Sequence, residues 1–145
     1  MDPIKQLLES RTEFFSVSPG STVLDTAKYL RDREIRATVV CDDEKRPVGV
    51  VSQSDISDKV TAENRCPAWV KVDEIMSIRL VTITPETHID ECLLLLEKHG
   101  IYHLVVVDDS GRSMGMISAQ DILRVVAQNE RARADLLEHW AFPSM

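Results

Sequence analysis

The chain has little from which to build a covalent or metal framework. Only three of its 145 residues are cysteine, and Cys41, Cys66 and Cys92 are scattered, with no C-x-x-C and no clustered histidine beside them. An odd, unspaced set argues against both a disulfide framework and a zinc site. Cys41 and Cys92 fall at apolar-periodic positions and read as small core residues. Long apolar runs are missing too: none approaches the roughly 20 residues that a membrane span requires. The opening Met1-Asp2-Pro3-Ile4-Lys5 has no basic region leading into an apolar one, so no signal peptide is expected and the cytoplasm is the default compartment. Positive charge is in deficit, with a net charge of −7 and acidic residues spread along the chain. Nucleic-acid binding needs a basic face, so no nucleic-acid partner is expected. A small anionic ligand held by a few local donors is still compatible with that balance.

The motifs of catalysis are also lacking. There is no G-x-S-x-G, no H-E-x-x-H and no G-x-x-x-x-G-K-[ST], and Ser52 and Ser118 have no neighbouring histidine in sequence. His88, His99 and His139 lie at polar, helix-flanking positions and read as solvent-facing. The pairs Asp42-Asp43 and Asp108-Asp109 sit in turn-like stretches where Asp serves local hydrogen bonding. No catalytic residue and no metal ligand emerges, and the chain is read as a non-enzyme.

What the sequence does have is a repeat. Val48-Gly49-Val50-Val51-Ser52-Gln53-Ser54-Asp55-Ile56 recurs as Met114-Gly115-Met116-Ile117-Ser118-Ala119-Gln120-Asp121-Ile122. The offset from Asp55 to Asp121 is 66, and it aligns Ser18–Ile56 with Thr84–Ile122 without a gap. Pro19/Pro85, Leu30/Leu96, Ile35/Ile101, Asp42/Asp108 and Arg46/Arg112 are among the identical pairs. Two copies of one supersecondary unit organise the chain. Each half alone is marginal by surface-to-volume scaling, so the two are expected to bury a common face.

The periodicity gives each copy the order β-α-β-β-α. In the first, Ile4–Leu8 forms a lead-in helix and Phe14–Val17 a short strand. A helix follows over Val23–Arg33, then strands over Ile35–Cys41 and Val48–Val51, and a helix to about Val60. Thr61–Val70, with Pro67, reads as the connector, and Val72–Met76 as a turn mirroring the lead-in helix. The second copy has strands over Leu80–Ile83, Tyr102–Val107 and Met114–Ile117. Its helices run from about Thr87 to His99 and from Ala119 onward, the latter extending past Val126 towards Ala132, Leu136 and Leu137. The expected fold is therefore mixed α/β (α+β), in two pseudo-symmetric units over residues 1–66 and 67–145.

An apolar strand with a glycine running into Ser-x-x-Asp at a helix start, twice at a fixed offset and each time behind an Asp-Asp turn, resembles the CBS domain. With Glu74-Ile75-Met76-Ser77 introducing the second copy, the chain resembles a tandem CBS pair, or Bateman module, from about residue 7 to 127. The resemblance implies two domains packed through their sheets. It also implies clefts that take an adenosine-containing ligand such as AMP, ADP, ATP or S-adenosylmethionine, with no obligatory cofactor.

Carried onto this sequence, the resemblance makes Asp55 and Asp121 the ribose-binding carboxylates. Such a group at a helix N-terminus is held by the dipole and free N–H groups. Ser52 and Ser118 become donors to a phosphate or ribose oxygen. Ser-x-x-Asp before an apolar run is equally an ordinary N-terminal cap. The purine slot falls on Ile35-Arg36-Ala37 and Ile101-Tyr102-His103, where apolar walls and backbone groups can read a base edge. Ser77 and Met116 complete the candidate set. Arg36 is the better phosphate partner, with a surface ion pair as its alternative. His103 either supports phosphate binding in a pH-dependent way or packs neutral beside Tyr102. Where the family often has Pro before its Val-Val strand, this chain has Thr38 and Leu104. The acidic surface and scarce lysine favour a mono- or diphosphate, or S-adenosylmethionine, over a triphosphate.

The resemblance also implies a homodimer associating through helices, in which the tail Trp140 and Phe142 either folds back or makes a dimer contact. The expected function is regulatory: a ligand-sensing module that signals to an unknown effector protein. The alternative is a protein-interaction or dimerisation module with vestigial clefts.

Overall fold

The structure, a computed structural model, describes residues 3–128 together with residues 134, 137 and 138. The expected extension of the last helix through Ala132 and Leu136, and the readings of His139, Trp140 and Phe142, lie outside the described residues. Leu137 is described and exposed.

The chain forms α1 (Lys5–Glu9), β1 (Ser16–Val17), α2 (Val23–Arg33), β2 (Ala37–Cys41), β3 (Pro47–Ser52) and α3 (Gln53–Ile56). A π-helical turn over Ser57–Thr61 continues α3, and a 3-10 turn covers Val72–Glu74. The second copy supplies β4 (Thr82–Ile83), α4 (Ile89–His99), β5 (His103–Val107), β6 (Ser113–Ser118) and α5 (Ala119–Gln128). This is the expected β-α-β-β-α order, with β1, β2, β4 and β5 starting later than expected and β3 and β6 one residue longer at each end. Ile35, read as a strand residue, instead closes the preceding helix, as its counterpart Ile101 does: their N–H groups donate to Leu30 O and Leu96 O. The residue before each, Glu34 or Gly100, takes the left-handed conformation that turns the chain out of the helix.

Each copy makes one three-stranded sheet, β1-β2-β3 and β4-β5-β6, in which the first pair is parallel and the second antiparallel. Strand alternation explains why β2 is buried at every position. Val40 and Val51 face the helices of the first unit, whereas Val39 and Cys41 join Val105 in a cluster between the sheets, flanked by Val50, Val107 and Met116. Leu104, Val106 and Ile117 face the other way, into a core with Ile89, Cys92, Leu96, Ile122 and Val126. A sheet covered on both faces needs apolar residues at successive positions. The two sheets thus share the buried face that neither half could supply alone.

Chain order and packing part company at the lead-ins. Ile4, at the N-cap of α1, and Leu8 within it are buried in the core of the second unit, while Val72 and Ile75 are buried in that of the first. Hydrogen bonds fix both exchanges: Ile4 N–H donates to Thr87 O at 2.9 Å, and Val72 N–H to Ser21 O at 2.9 Å. Burying one such side chain contributes about 1.5–3 kcal/mol. Each lead-in is therefore a strong non-covalent tie between the units.

The hairpin turns behave as their sequence demands. Asp42 Oδ1 accepts from the N–H groups of Glu44 and Arg46, and Asp108 Oδ1 from those of Ser110 and Arg112.

Candidate functional site

The two copies of Ser-x-x-Asp lie where a strand ends and a helix begins, and both close a reciprocal cap. In the first, Asp55 N–H donates to Ser52 Oγ (3.2 Å) and Ser52 N–H to Asp55 Oδ2 (2.9 Å). In the second, Asp121 N–H donates to Ser118 Oγ (3.0 Å) and Ser118 N–H to Asp121 Oδ2 (2.9 Å). Capping alone accounts for the motif's local geometry.

Strand pairing brings the other candidates to the same spots. Ala37 is in register with Ser52 and His103 with Ser118. Gln53 N–H donates to Arg36 O and Ala119 N–H to Tyr102 O, each at 2.9 Å. Residues 15 and 17 positions apart in sequence thus form one junction per unit. Ala37 is buried, Arg36 is exposed and Tyr102 is 76% exposed, so neither of the latter is a packed core residue. Ile35 and Ile101 are half-buried. Met116 lies against the cluster between the sheets. Ser77 sits at the open edge of β3, its N–H and C=O both paired with Val50 at 2.9 Å.

The two junctions are electrostatically unlike. Asp55 is enclosed: Oδ2 also accepts from Ser52 Oγ, and Oδ1 pairs with Lys59 Nζ at 3.0 Å. Lys59 Nζ in turn donates to Ile75 O at 2.8 Å, joining this carboxylate to the second lead-in. At Asp121 the strong partners gather on Oδ2, which accepts from Ser118 N–H and from Arg11 Nη2 at 3.1 Å. Arg124 Nη1 stands 4.0 Å from Oδ1. Arg11 Nη1 also donates to Met116 O.

Arg11 is the site residue that the sequence does not reveal. It comes from the lead-in, 110 positions from Asp121, and no local pattern marks the approach. His103, offered as a phosphate partner, is held below its ordinary value of 6.5 by burial, only partly countered by the Asp121 charge. It is therefore mostly neutral near pH 7 and a poor source of positive charge.

Among the described residues no group of three or more His, Cys, Asp or Glu side chains is arranged to hold a metal ion. No described helix is long and apolar enough to cross a membrane. A surface depression of about 230 Å³ opens elsewhere, between α2 and the π-helical turn, lined by Ala27, Leu30, Arg31 and Ser57 among others. Apart from their capping neighbour Gln53, the junction residues take no part in it.

The profile of the CBS domain matches residues 4–62 and 72–128. An uncharacterized protein of Methanopyrus kandleri is 29% identical over 116 residues, 80% of this chain and 59% of that one. An uncharacterized protein of Methanocaldococcus jannaschii is 35% identical over 77% of this chain and 61% of its own. The chain thus spans about three fifths of the length of these relatives. Among solved structures, a protein with CBS domains from Burkholderia ambifaria superposes at TM-score 0.79 and 27% identity, covering 88% of this chain and 96% of that one. The CBS domain pair of protein MJ0100, solved in complex with 5'-methylthioadenosine and S-adenosyl-L-methionine, gives TM-score 0.78 at 24% identity, covering 88% and 98%. With the repeat, the topology and the profile in agreement over both units, this chain belongs to the CBS domain family, as a tandem pair of a kind that generally regulates rather than catalyses.

Proposed function

We propose that the protein is a non-catalytic sensor that binds an adenosine-containing ligand at the Asp121 junction and passes the change to a partner protein. The observation that carries this reading is the state of Asp121. Its carboxylate is fixed through Oδ2 by the backbone of Ser118 and by Arg11, while at Oδ1 the ion pair is a loose one to Arg124 at 4.0 Å. A ribose presents two adjacent hydroxyls, and a fixed carboxylate with an accessible oxygen is a suitable acceptor. The adenosine ligands of the MJ0100 pair agree with that chemistry.

Asp55 supports a different role. Its oxygens are engaged by Ser52 and Lys59, which suits a structural cap in the first unit. With His103 neutral, and Arg11 and Arg124 both facing the Asp121 carboxylate, little uncompensated positive charge is left at this junction, which favours a mono- or diphosphate or S-adenosylmethionine over a triphosphate. Homodimerisation, an effector partner and a cytoplasmic setting complete the reading.

The test is a thermal-shift panel with AMP, ADP, ATP, NAD, S-adenosylmethionine and adenine, run on the wild-type chain and on Asp121→Ala. A ligand at about 100 times its Kd stabilises by ~2.7 kcal/mol, which is a shift of several degrees. A shift that disappears in Asp121→Ala supports the assignment. No shift with any ligand at millimolar concentration would instead favour an interaction module with ligand-free clefts.

A further inference from the structure

Neither capping nor core packing requires Arg11 to lie where it does. Its guanidinium reaches across to the second unit and binds the strand end and the helix start together, through Met116 O and Asp121 Oδ2. We propose that Arg11 is a displaceable latch on the second junction: it holds an acceptor that a ribose would use, so ligand binding expels it and loosens the segment it belongs to. This rests on the reading of Asp121 as the ribose acceptor.

Acceptor lone pairs are the limiting quantity at Asp121. A carboxylate offers about four acceptor sites, two on each oxygen. At Asp121 Oδ2 both are taken, by Ser118 N–H and by Arg11 Nη2. A ribose diol that engages both oxygens needs one of them back. The Ser118 N–H bond is a backbone bond that belongs to the helix cap. The Arg11 bond is a partly exposed ion pair, with the two side chains 27% and 25% accessible, and is the weaker of the two.

The surrounding chain is anchored on both sides of this segment, which itself is tied, among the described residues, only by an exposed Glu13–Arg33 ion pair at 3.6 Å besides the contacts of Arg11 and Phe14. Upstream, Ile4 and Leu8 are buried in the second unit's core. Downstream, Ser16 N–H donates to Tyr29 Oη at 3.1 Å and Phe15 meets the Tyr29 ring edge-on. Between these anchors Thr12, Glu13 and Phe14 are exposed and without regular structure. Phe14 lies beside Gly115, so Arg11 and Phe14 together cover the strand that leads to Ser118. Release of Arg11 would uncover that strand and leave α1 docked. A change at the ligand site would thereby reach a surface segment that a partner could read, and the displacement supplies the differential interaction that such coupling requires.

The test is calorimetric titration of the full chain with AMP and, separately, S-adenosylmethionine, using wild type, Arg11→Gln and Arg11→Gln/Asp121→Asn. Removing a competitor of this kind should tighten binding by up to about fivefold, and the gain should vanish in the double variant. Equal or weaker binding by Arg11→Gln overturns the latch while leaving the sensor reading intact, weaker binding placing Arg11 on the ligand. If neither wild type nor Arg11→Gln binds either compound, the sensor reading fails and the latch fails with it. Amide exchange on the wild-type chain tests the same point should Arg11→Gln fold poorly. Faster exchange at residues 11–15 upon ligand addition supports displacement, and unchanged or slower exchange with ligand bound overturns it.

Discussion

Arg11 and Ser77 stand 66 residues apart, the period of the repeat, and each secures the same position of the opposite unit. Ser77 pairs through its backbone with Val50 of β3, and Arg11 through its side chain with Met116 of β6, the counterpart of Val50. The two lead-ins have exchanged partners in the same way but with different chemistry. A backbone pair is permanent while the fold lasts, whereas a side chain can let go. The second unit therefore has the removable contact, and it is the unit whose Asp is tied to that contact.

The glycine of each unit lies under this crossing, and the two should respond differently to a methyl group. At Gly49 a Cβ would stand 2.5 Å from Met76 Sδ and 3.1 Å from Ser77 O. At Gly115 the nearest atoms are 3.6 Å away, but φ is +93°. Gly49→Ala should lose about 1–3 kcal/mol through overpacking, and Met76→Ala should restore part of it. Gly115→Ala should lose about 1–2 kcal/mol through backbone strain, which trimming Arg11 does not relieve. Urea melts of the four single and double variants check both. An unrelieved Gly49→Ala/Met76→Ala would refute the steric account.

His103 should give stability a pH dependence of definite sign. Burial lowers its folded value below 6.5, so the unfolded chain binds the proton more readily. Its contribution is complete above the unfolded value and is lost as pH falls below 6.5 towards the folded one. Wild type should lose more stability than His103→Asn between about pH 7.5 and 5.5. Equal slopes in denaturant melts would show that His103 is not buried as a neutral group.

The thiols should separate by burial. Cys92 is buried and its thiol is pushed up to about 12, chiefly by burial and then by Glu91 and Asp90. Cys41 is also buried and raised, again chiefly by burial, while Cys66 is exposed. A thiol-disulfide reagent at mild pH should therefore label Cys66 in the native protein, and all three cysteines after denaturation. Fast native labelling of Cys66→Ser would show that Cys41 or Cys92 becomes accessible.

Much of this was legible in the sequence because the repeat reports on itself. A pattern such as Gly-x-x-Ser-x-x-Asp constrains a local strand-to-helix passage, so its two copies fix both junctions and the strands behind them. Ile35 misled for a local reason: a β-branched residue next to a strand reads as strand, although here it completes a helix C-terminus. The π-helical turn at Ser57–Thr61 had no signal, since its copy in α5 stays α-helical with the same apolar spacing. Arg11 and Lys59 escaped notice because a charged residue on a polar stretch looks solvated until the fold supplies its partner. For Asp121 that partner is 110 residues away.

The exchange of lead-ins makes a prediction that chain order alone would contradict. Ile4 is near the N-terminus, where truncation is usually tolerated, yet it is fully buried among second-unit residues. Ile4→Ala should therefore cost about 2–5 kcal/mol, the range for emptying a core site. The damage should also fall on the distant unit. Native-state amide exchange should lose protection first in β5 and β6, more than 95 residues downstream in sequence, while β2 and β3 stay protected. Ile75→Ala should do the reverse, loosening β2 and β3, because Ile75 is buried with Val40 and Val51. If each substitution instead loosened the unit nearest to it in sequence, the exchanged packing would be wrong. Reciprocal damage would mean that neither unit is complete without a segment belonging, in chain order, to the other, so that a change at one junction is felt across the pair.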